Sequence, residues 1–351
     1  MEFTLHRDFA DLELLSKKWN ALLAESITDV PFLRYEYQRI WWETRGGGEW
    51  SDSELAVVLA SQDGRLAGVA PLFSARNRDG DPALLLLGSI EISDYLDLIV
   101  RPADLPAFLP GLLDFLGHSG PAGLSVPAPE AESKPWHVLD WQNLLETSPT
   151  LPLLKTEAEK QGWQFVLEQT YHAPSIPLRG DFDTYLSGID KKQRHEIRRK
   201  MRRAEETGSD VRWYFVSDET TLDAAVDAFL AMMAEEADKA KFLTGTMRRQ
   251  MHLACRAAFE NGWLQLAFLE VDGERAAGYL NFDYQNRIWV YNSGLDRRFL
   301  ELSPGWVLLG HLLQWANENK RSEFDFMRGG EDYKYRFGGV DKIVVRAKVT
   351  R

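Results

Sequence analysis

The sequence predicts an α+β fold built twice over, each half a twisted, mostly antiparallel sheet flanked by helices. Three observations carry that expectation. Segments of apolar alternation interleave with segments of helical spacing along the chain. One hairpin pattern occurs twice: "ELAVVLASQDG" at 54–64 and "WLQLAFLEVDG" at 263–273 align without a gap and end in Asp-Gly, and each leads into a strand with an internal glycine, Gly68 or Gly278. At 351 residues the chain has room for about two domains of ~100–200 residues, which we place at 1–170 and 171–351.

The elements follow in order. "EFTLHR" reads as a strand, and amphipathic helices are expected over 9–24 and 33–45. The first hairpin turns at Asp63-Gly64, since a Gly after Asp suits the positive φ of a tight turn. Strands near 83–88 and 95–100, a helix over 104–117, a strand near 122–126 and a polar loop at 127–135 come next. A helix over 151–161 and the strand "WQFVLEQT" close the first half. The second half places helices over 181–187 and 190–207, the strand "VRWYFV", and long helices over 218–239 and 245–261 before its hairpin. Pro110-Gly111 and Pro304-Gly305 each lie beside a leucine-rich helix, a second sign of duplication.

Composition narrows the function. Lys+Arg number 41 against 53 Asp+Glu, a net charge of −12, which argues against a general nucleic-acid coat but leaves room for a local anion site. No apolar run approaches the ~20 residues that span a bilayer, and the acids in "MEFTLHRDFADLELL" do not fit a signal peptide, so a cytoplasmic protein without a transmembrane segment is expected. Cys255 is alone, which excludes an internal disulfide; in a helical pattern it reads as a small buried filler. P-loop, GxGxxG and HExxH motifs are missing and the seven histidines lack metal-ligand spacing, so no metal is expected.

Three stretches carry possible chemistry. "KKQRHEIRRKMRR" at 191–203 sets eight basic side chains against one acidic one. Ile197, Met201 and Ala204 give its helix one narrow apolar stripe, with Asp190 as N-cap and Gly208 past its end. Phosphates of a cofactor, a tRNA, a nucleotide-linked sugar or a lipid head group are candidate partners; the alternative is a solvated face held by Glu196–Lys200 and Arg202–Glu206 spacing. In "WVYNSGLDRRFLELSPGWVLLGHLLQWA" at 289–316, a strand ends near Asn292-Ser293-Gly294 and a helix starts at Ser303-Pro304-Gly305, with Arg297 and Arg298 between. A helix start with free N–H groups and a small residue suits an anion. In "FDFMRGGEDYKYRFGG" at 324–339, a short strand runs through Arg328-Gly329-Gly330 into Glu331, Asp332, Tyr333, Lys334, Tyr335 and Arg336, an acid/base set at a strand end.

These three stretches together, with "WWETRGGG", "GVAPLF" and "SDYLDLIV" in the first half, resemble the GNAT acyltransferase superfamily. The subgroup they look most like is the acetyltransferase-like family associated with cellulose biosynthesis, related to the Fem-type peptidyltransferases. The resemblance implies tandem GNAT-like domains and an acyl-CoA (acetyl-CoA) donor. Its pyrophosphate would lie at Ser303, Pro304 and Gly305 with Arg297 and Arg298 nearby, and Asn292, Ser293 and Gly294 would line the cofactor site, where backbone N–H groups polarise the acyl carbonyl. It further implies direct attack by an amine, Tyr333 or Tyr335 as acid to the leaving thiolate, and Lys334 as the counterpart of a Fem-type lysine. Asp325, Glu331 and Asp332 are candidate bases. Arg198, Arg199, Arg202 and Arg328 are candidate substrate contacts, and Asp94 and Tyr95 would line the acceptor side. The acceptor would be a small-molecule or envelope-precursor amine. Only "LSPG" remains of the usual GNAT phosphate loop, which leaves room for an aminoacyl-tRNA donor, or for a non-catalytic module binding a phosphorylated sugar or lipid precursor.

Overall fold

The computed structural model describes residues 1–118, 125–126 and 134–351. Two compact units emerge: Met1–Tyr171 with Ile343–Arg351, and His172–Lys342. In the first, β1 (Glu2–His6) precedes a 3-10 helix (Phe9–Leu15), α1 (Ser16–Leu23), α2 (Tyr35–Glu43) and α3 (Arg45–Gly48). Strands β2 (Glu54–Leu55), β3 (Val57–Gln62), β4 (Arg65–Ala70), β5 (Leu72–Arg76), β6 (Pro82–Leu86) and β7 (Ile99–Val100) follow. Then come α4 (Leu105–His118), the pair β8 (Ser125–Val126) and β9 (Lys134–Pro135), β10 (Val138–Leu145) and α5 (Thr150–Lys160). From β11 (Gln164–Pro177) the chain enters the second unit, with α6 (Phe182–Gly188), α7 (Lys191–Glu205), β12 (Val211–Phe215), α8 (Glu219–Met233), α9 (Ala237–Phe242) and α10 (Gly245–Glu260). Strands β13 (Leu264–Val271), β14 (Glu274–Tyr284) and β15 (Arg287–Leu295) lead through a 3-10 helix (Arg297–Leu302) to α11 (Pro304–Glu318) and β16 (Glu323–Asp325). The last elements are α12 (Asp332–Arg336) and β17 (Val340–Thr350), whose end belongs to the first unit.

The α+β expectation holds: helices flank twisted, mostly antiparallel sheets in both units. Among the described residues the first unit divides its strands between two larger sheets, beside the short β8-β9 pair. Pro71, with no N–H to donate, ends β4, so the single expected strand divides between the sheet β1-β3-β4-β7 and the strands β2-β5-β6-β10. The second unit orders its strands β12-β13-β14-β15-β16-β11, with β15 and β16 parallel.

Both hairpins turn through paired left-handed residues, Asp63-Gly64 (φ 53 and 74) and Asp272-Gly273 (φ 51 and 82). Each then bulges at the third residue after its glycine: Ala67 and Ala276 are skipped in the two registers. That shared irregularity supports duplication better than the proline-glycine pairs do. Pro110 lies inside α4, whereas Pro304 opens α11, so those two positions are not equivalent.

Several expectations shift in detail. The first helix starts as 3-10, with Asp8 accepting from the N–H of Ala10. The second ends at Glu43, and Arg45, Gly46 and Gly47 turn left-handed beyond it. The helix expected over 218–239 stops at Met233 and resumes as the separate α9. Strand β10 had no sequence signal. It is buried on nearly every residue, between parallel β6 and antiparallel β17, so it lacks alternation, and its buried Asp140 is neutralised by a two-oxygen pair with Arg346 at 2.7 Å each. Most of the loop expected at 127–135 and part of the strand near 122–126 lie outside the described residues.

The second unit's core forms where α7 meets α11. Ile197, Met201 and Ala204 are the buried residues of α7, as their spacing requires. A Cβ at Gly310 of α11 would stand 2.7 Å from the Met201 sulfur, so the missing side chain permits that approach. Cys255 is also buried, and desolvation pushes its thiol up to about 12, which fits a filler rather than a nucleophile.

Candidate functional site

The site is built where β15 and β16 part. Their parallel register covers only Arg287 to Trp289 against Glu323 to Asp325. Past Asp325 the chain turns away through left-handed Met327 (φ 56) and Gly329 (φ 112), while β15 runs on to Leu295 beside β14. Asp296 N–H donates to Ala276 O at 3.0 Å, so alternation turns Gly294 toward β14 and points the backbone of Ser293 and Leu295 to the open edge. That edge is partly occupied. Ser293 O accepts from Lys239 Nζ of α9 at 2.9 Å, and Ser293 N–H donates to Asn292 Oδ1 at 2.9 Å. The N–H expected to polarise a carbonyl is thus held by its neighbour's side chain.

Gly294 fixes the other side of β15. A Cβ there would stand 2.8 Å from Met233 N and 2.9 Å from Met232 C, both backbone atoms of α8. Gly294→Ala is therefore expected to cost about 1–3 kcal/mol, read as a lower midpoint in urea, because neither backbone can yield.

Beyond β15, α11 begins at a cleared corner. Ser303 stands at the N-cap position but its side chain does not cap the helix: at φ 52, ψ 51 its backbone is left-handed, not the extended geometry that brings a cap oxygen to the N2 or N3 N–H. The N–H groups of Trp306 and Val307 instead turn back to Ser303 O at 2.9 and 3.1 Å. Pro304 has no N–H, and the nearest atom to a Cβ on half-buried Gly305 would be Leu295 Cδ2 at 3.8 Å, an ordinary contact, so no neighbour crowds the first turn. Arg297 is exposed and, among the described residues, makes no ion pair. Arg298 is less available than expected: Asp296 at 2.6 Å and Glu274 at 2.7 Å flank it, and they raise its pKa.

The loop after β16 sorts its residues by burial. Asp325 is fully enclosed, accepting from Met327 N–H at 2.7 Å and pairing with Lys342 Nζ at 2.8 Å. Burial raises its pKa despite Lys342, yet no open path suits it to act as a base. Lys334 is 3 % exposed, and its ammonium bonds Gly329 O (2.9 Å), Arg328 O (3.0 Å) and Glu331 Oε2 (2.8 Å). All three donors are spent on the loop, so Lys334 is a clamp rather than a reactive group. Glu331 and Asp332 are exposed, Asp332 paired with Arg336 at 2.5 Å, and Arg328 is half-buried.

Tyr333 and Tyr335 part company. Tyr335 is exposed and donates to Asp341 Oδ1 at 2.8 Å, beside the contact of Asp341 with His172 Nδ1. Tyr333 turns inward, its ring 5.9 Å from Phe326 and edge-on. Burial, then the Glu331 charge, raise its phenol pKa; the ring packs against the core that holds Tyr279, whose pKa is raised by burial first and by Tyr333 second. Tyr279 stands directly opposite Ser293 across the β14–β15 pair. The geometry therefore brings Tyr333 to the face of β15 that carries Ser293.

The basic helix α7 meets the same corner, where Lys200 Nζ lies 4.0 Å from the ring centroid of Trp306 in the first turn of α11. The arginines expected to contact substrate are tied to acids: Arg198 to Asp183 (2.7 Å), Arg199 to Glu196 (2.8 Å) and Arg202 to Glu206 (3.8 Å). Asp183 is the partner that pairing within one helix did not reveal. Lys191, Lys192 and Arg203 make no ion pair among the described residues. In the first unit Asp94 and Tyr95 are 3 % and 0 % exposed, because Asn143 Nδ2 bonds Ile90 O and Ser93 O at 2.7 Å and draws their segment inward. They offer almost no surface to an acceptor. Sequence reading missed Lys239, absorbed in one long expected helix, and His172 and Asp341, which only the fold brings together.

Comparison with curated proteins finds no match. Among solved structures the chain is similar to FemX, at 12 % identity and a TM-score of 0.64, covering 99 % of this chain and 97 % of that one. It is also similar to L-PGS from Bacillus licheniformis, at 13 % identity, a TM-score of 0.55 and coverage of 95 % and 91 %. A tandem GNAT protein from the clavulanic acid biosynthesis pathway gives 13 % identity, a TM-score of 0.50 and coverage of 99 % and 98 %. At such identities the likeness is one of fold. Residues 191–335, which hold the basic helix, the open edge of β15, the start of α11 and Tyr333, match the family model described as an acetyltransferase (GNAT) domain.

Proposed function

We propose that the chain is an N-acyltransferase of the cellulose-associated GNAT-like type, moving an acyl group from acyl-CoA to an amine by direct attack in the second unit. The observation that carries this is the convergence of the edge of β15 beyond its short pairing with β16, the uncrowded first turn of α11 and the inward ring of Tyr333. The residues present fit the donor: Gly305 presents a backbone N–H at an uncrowded helix start and Arg297 an uncommitted guanidinium, a suitable pair for a pyrophosphate. Acyl-CoA supplies the acyl group as a thioester. The amine nitrogen bonds the carbonyl carbon as the carbon–sulfur bond breaks, and the electron pair leaves on sulfur, where Tyr333 delivers its proton. Glu331, exposed and held in place by Lys334, takes the proton of the amine; Asp332, also exposed, is paired with Arg336, and Asp325 is enclosed.

Lys191, Lys192 and Arg203 support a second reading, an aminoacyl-tRNA donor gripped through its phosphates. Thermal unfolding separates the two. A ligand at 100 times its Kd stabilises by about 2.7 kcal/mol. Acetyl-CoA is expected to raise Tm, and Arg297→Ala to remove most of the rise. Stabilisation by charged tRNA alone favours the second reading, and by neither ligand a module binding a phosphorylated sugar or lipid precursor.

A further inference from the structure

The first unit holds a cavity of about 370 Å3 between its 3-10 helix, α2 and the turn that follows, within the range of small-molecule sites. Its floor is aromatic: Phe9, Tyr35 and Trp42 are each at most 9 % exposed. The Phe9 and Tyr35 rings meet edge-on at 5.8 Å, and the Tyr35 hydroxyl is spent on Phe9 O at 3.3 Å, so the floor is rigid and presents apolar surface. Over it stands Arg45, its guanidinium carbon 3.6 Å from the Trp42 ring centroid and one nitrogen donating to Trp42 O. Arg45 is a non-glycine residue at φ 52, a conformation costing about 1–2 kcal/mol, and three left-handed glycines follow it (φ 64, 75 and 99). It is half-buried and, among the described residues, has no carboxylate within 4.0 Å. Burial lowers its pKa, as expected for a cation desolvated without a counter-charge.

The same cavity is lined by Glu13, likewise without an ion-pair partner among the described residues. Of the other charges on the wall, Glu43 pairs loosely with Arg39 at 3.7 Å, and Asp8, which makes no ion pair among the described residues, is directed by its cap on Ala10 N–H. One guanidinium and one carboxylate thus remain over an aromatic floor, in one cavity and not paired with each other. A free α-amino acid carries the complementary pair, carboxylate and ammonium, plus a side chain for the floor. We propose that this cavity binds a free α-amino acid with an apolar or aromatic side chain, Arg45 taking the carboxylate and Glu13 the ammonium. The site lies wholly in the first unit and does not depend on the acyl-transfer reading.

Calorimetric titration of the full chain with L-phenylalanine, N-acetyl-L-phenylalanine (no ammonium) and L-phenylalaninamide (no carboxylate) tests it. Phenylalanine is expected to bind with a Kd below about 1 mM, and each one-charge analogue at least about tenfold more weakly. Arg45→Gly keeps the left-handed backbone while removing the guanidinium, and Glu13→Gln alters an exposed side chain. Both are expected to unfold like the parent chain and to lose at least about tenfold in phenylalanine affinity. No phenylalanine binding at millimolar concentration, equal binding of either analogue, or unchanged affinity in either folded variant overturns the proposal.

Discussion

Tyr333→Phe is expected to lower kcat for acyl transfer by about 10²–10⁴-fold, the range for removal of a positioned general acid, while leaving Tm within a degree or two of the parent. The two halves of this expectation have separate causes. The ring is held by Phe326 and the second unit's core, and phenylalanine keeps that packing. The hydroxyl makes no hydrogen bond with the described residues, so its removal strands no buried partner. Its proton is also firmly held: desolvation first, and the Glu331 charge second, raise the phenol pKa above its ordinary value of 10.0. The acid form therefore persists through neutral and moderately alkaline pH, and kcat is expected to show no alkaline fall attributable to Tyr333 below about pH 10. A Phe variant with undiminished kcat, measured as free thiol released from acetyl-CoA, would falsify the assignment. Tyr335→Phe is the control. Its hydroxyl serves Asp341 at an exposed position, and a small effect is expected.

Lys334→Ala is expected to destabilise the second unit markedly, by about 1–3 kcal/mol for each loop carbonyl that loses its donor. The ammonium gathers Arg328 O, Gly329 O and Glu331 Oε2 around itself at 3 % exposure. Without it two carbonyls of a left-handed loop lose their partner, the loop opens, and α12 no longer fixes Tyr333. Stability and activity should fall together, unlike in Tyr333→Phe. Lys334→Arg is not expected to rescue, because a planar fork cannot reproduce three divergent donors in so small a space. A Lys334→Ala protein with an unchanged urea midpoint would show that the loop holds itself.

The sequence by itself determined the layered α+β design, the paired Asp-Gly hairpins, the stripe that seats α7 and the order of the site segments. These are local properties, legible because periodicity, capping and turn chemistry act over a few neighbouring residues. The residues 191–335 that match a GNAT domain are those whose local patterns were plainest. The tertiary structure alone decided which charges are available. Arg198 lost its freedom to Asp183 of another helix, Asp325 to Lys342, and Arg298 in part to Glu274 across the turn of a strand. It also made Lys334 a clamp, withheld the N–H of Ser293, set Lys239 on its carbonyl and buried Asp94 and Tyr95. Pairing and burial depend on separations in space that a one-dimensional pattern does not encode, and a charged side chain changes role when an opposite charge comes within about 4 Å.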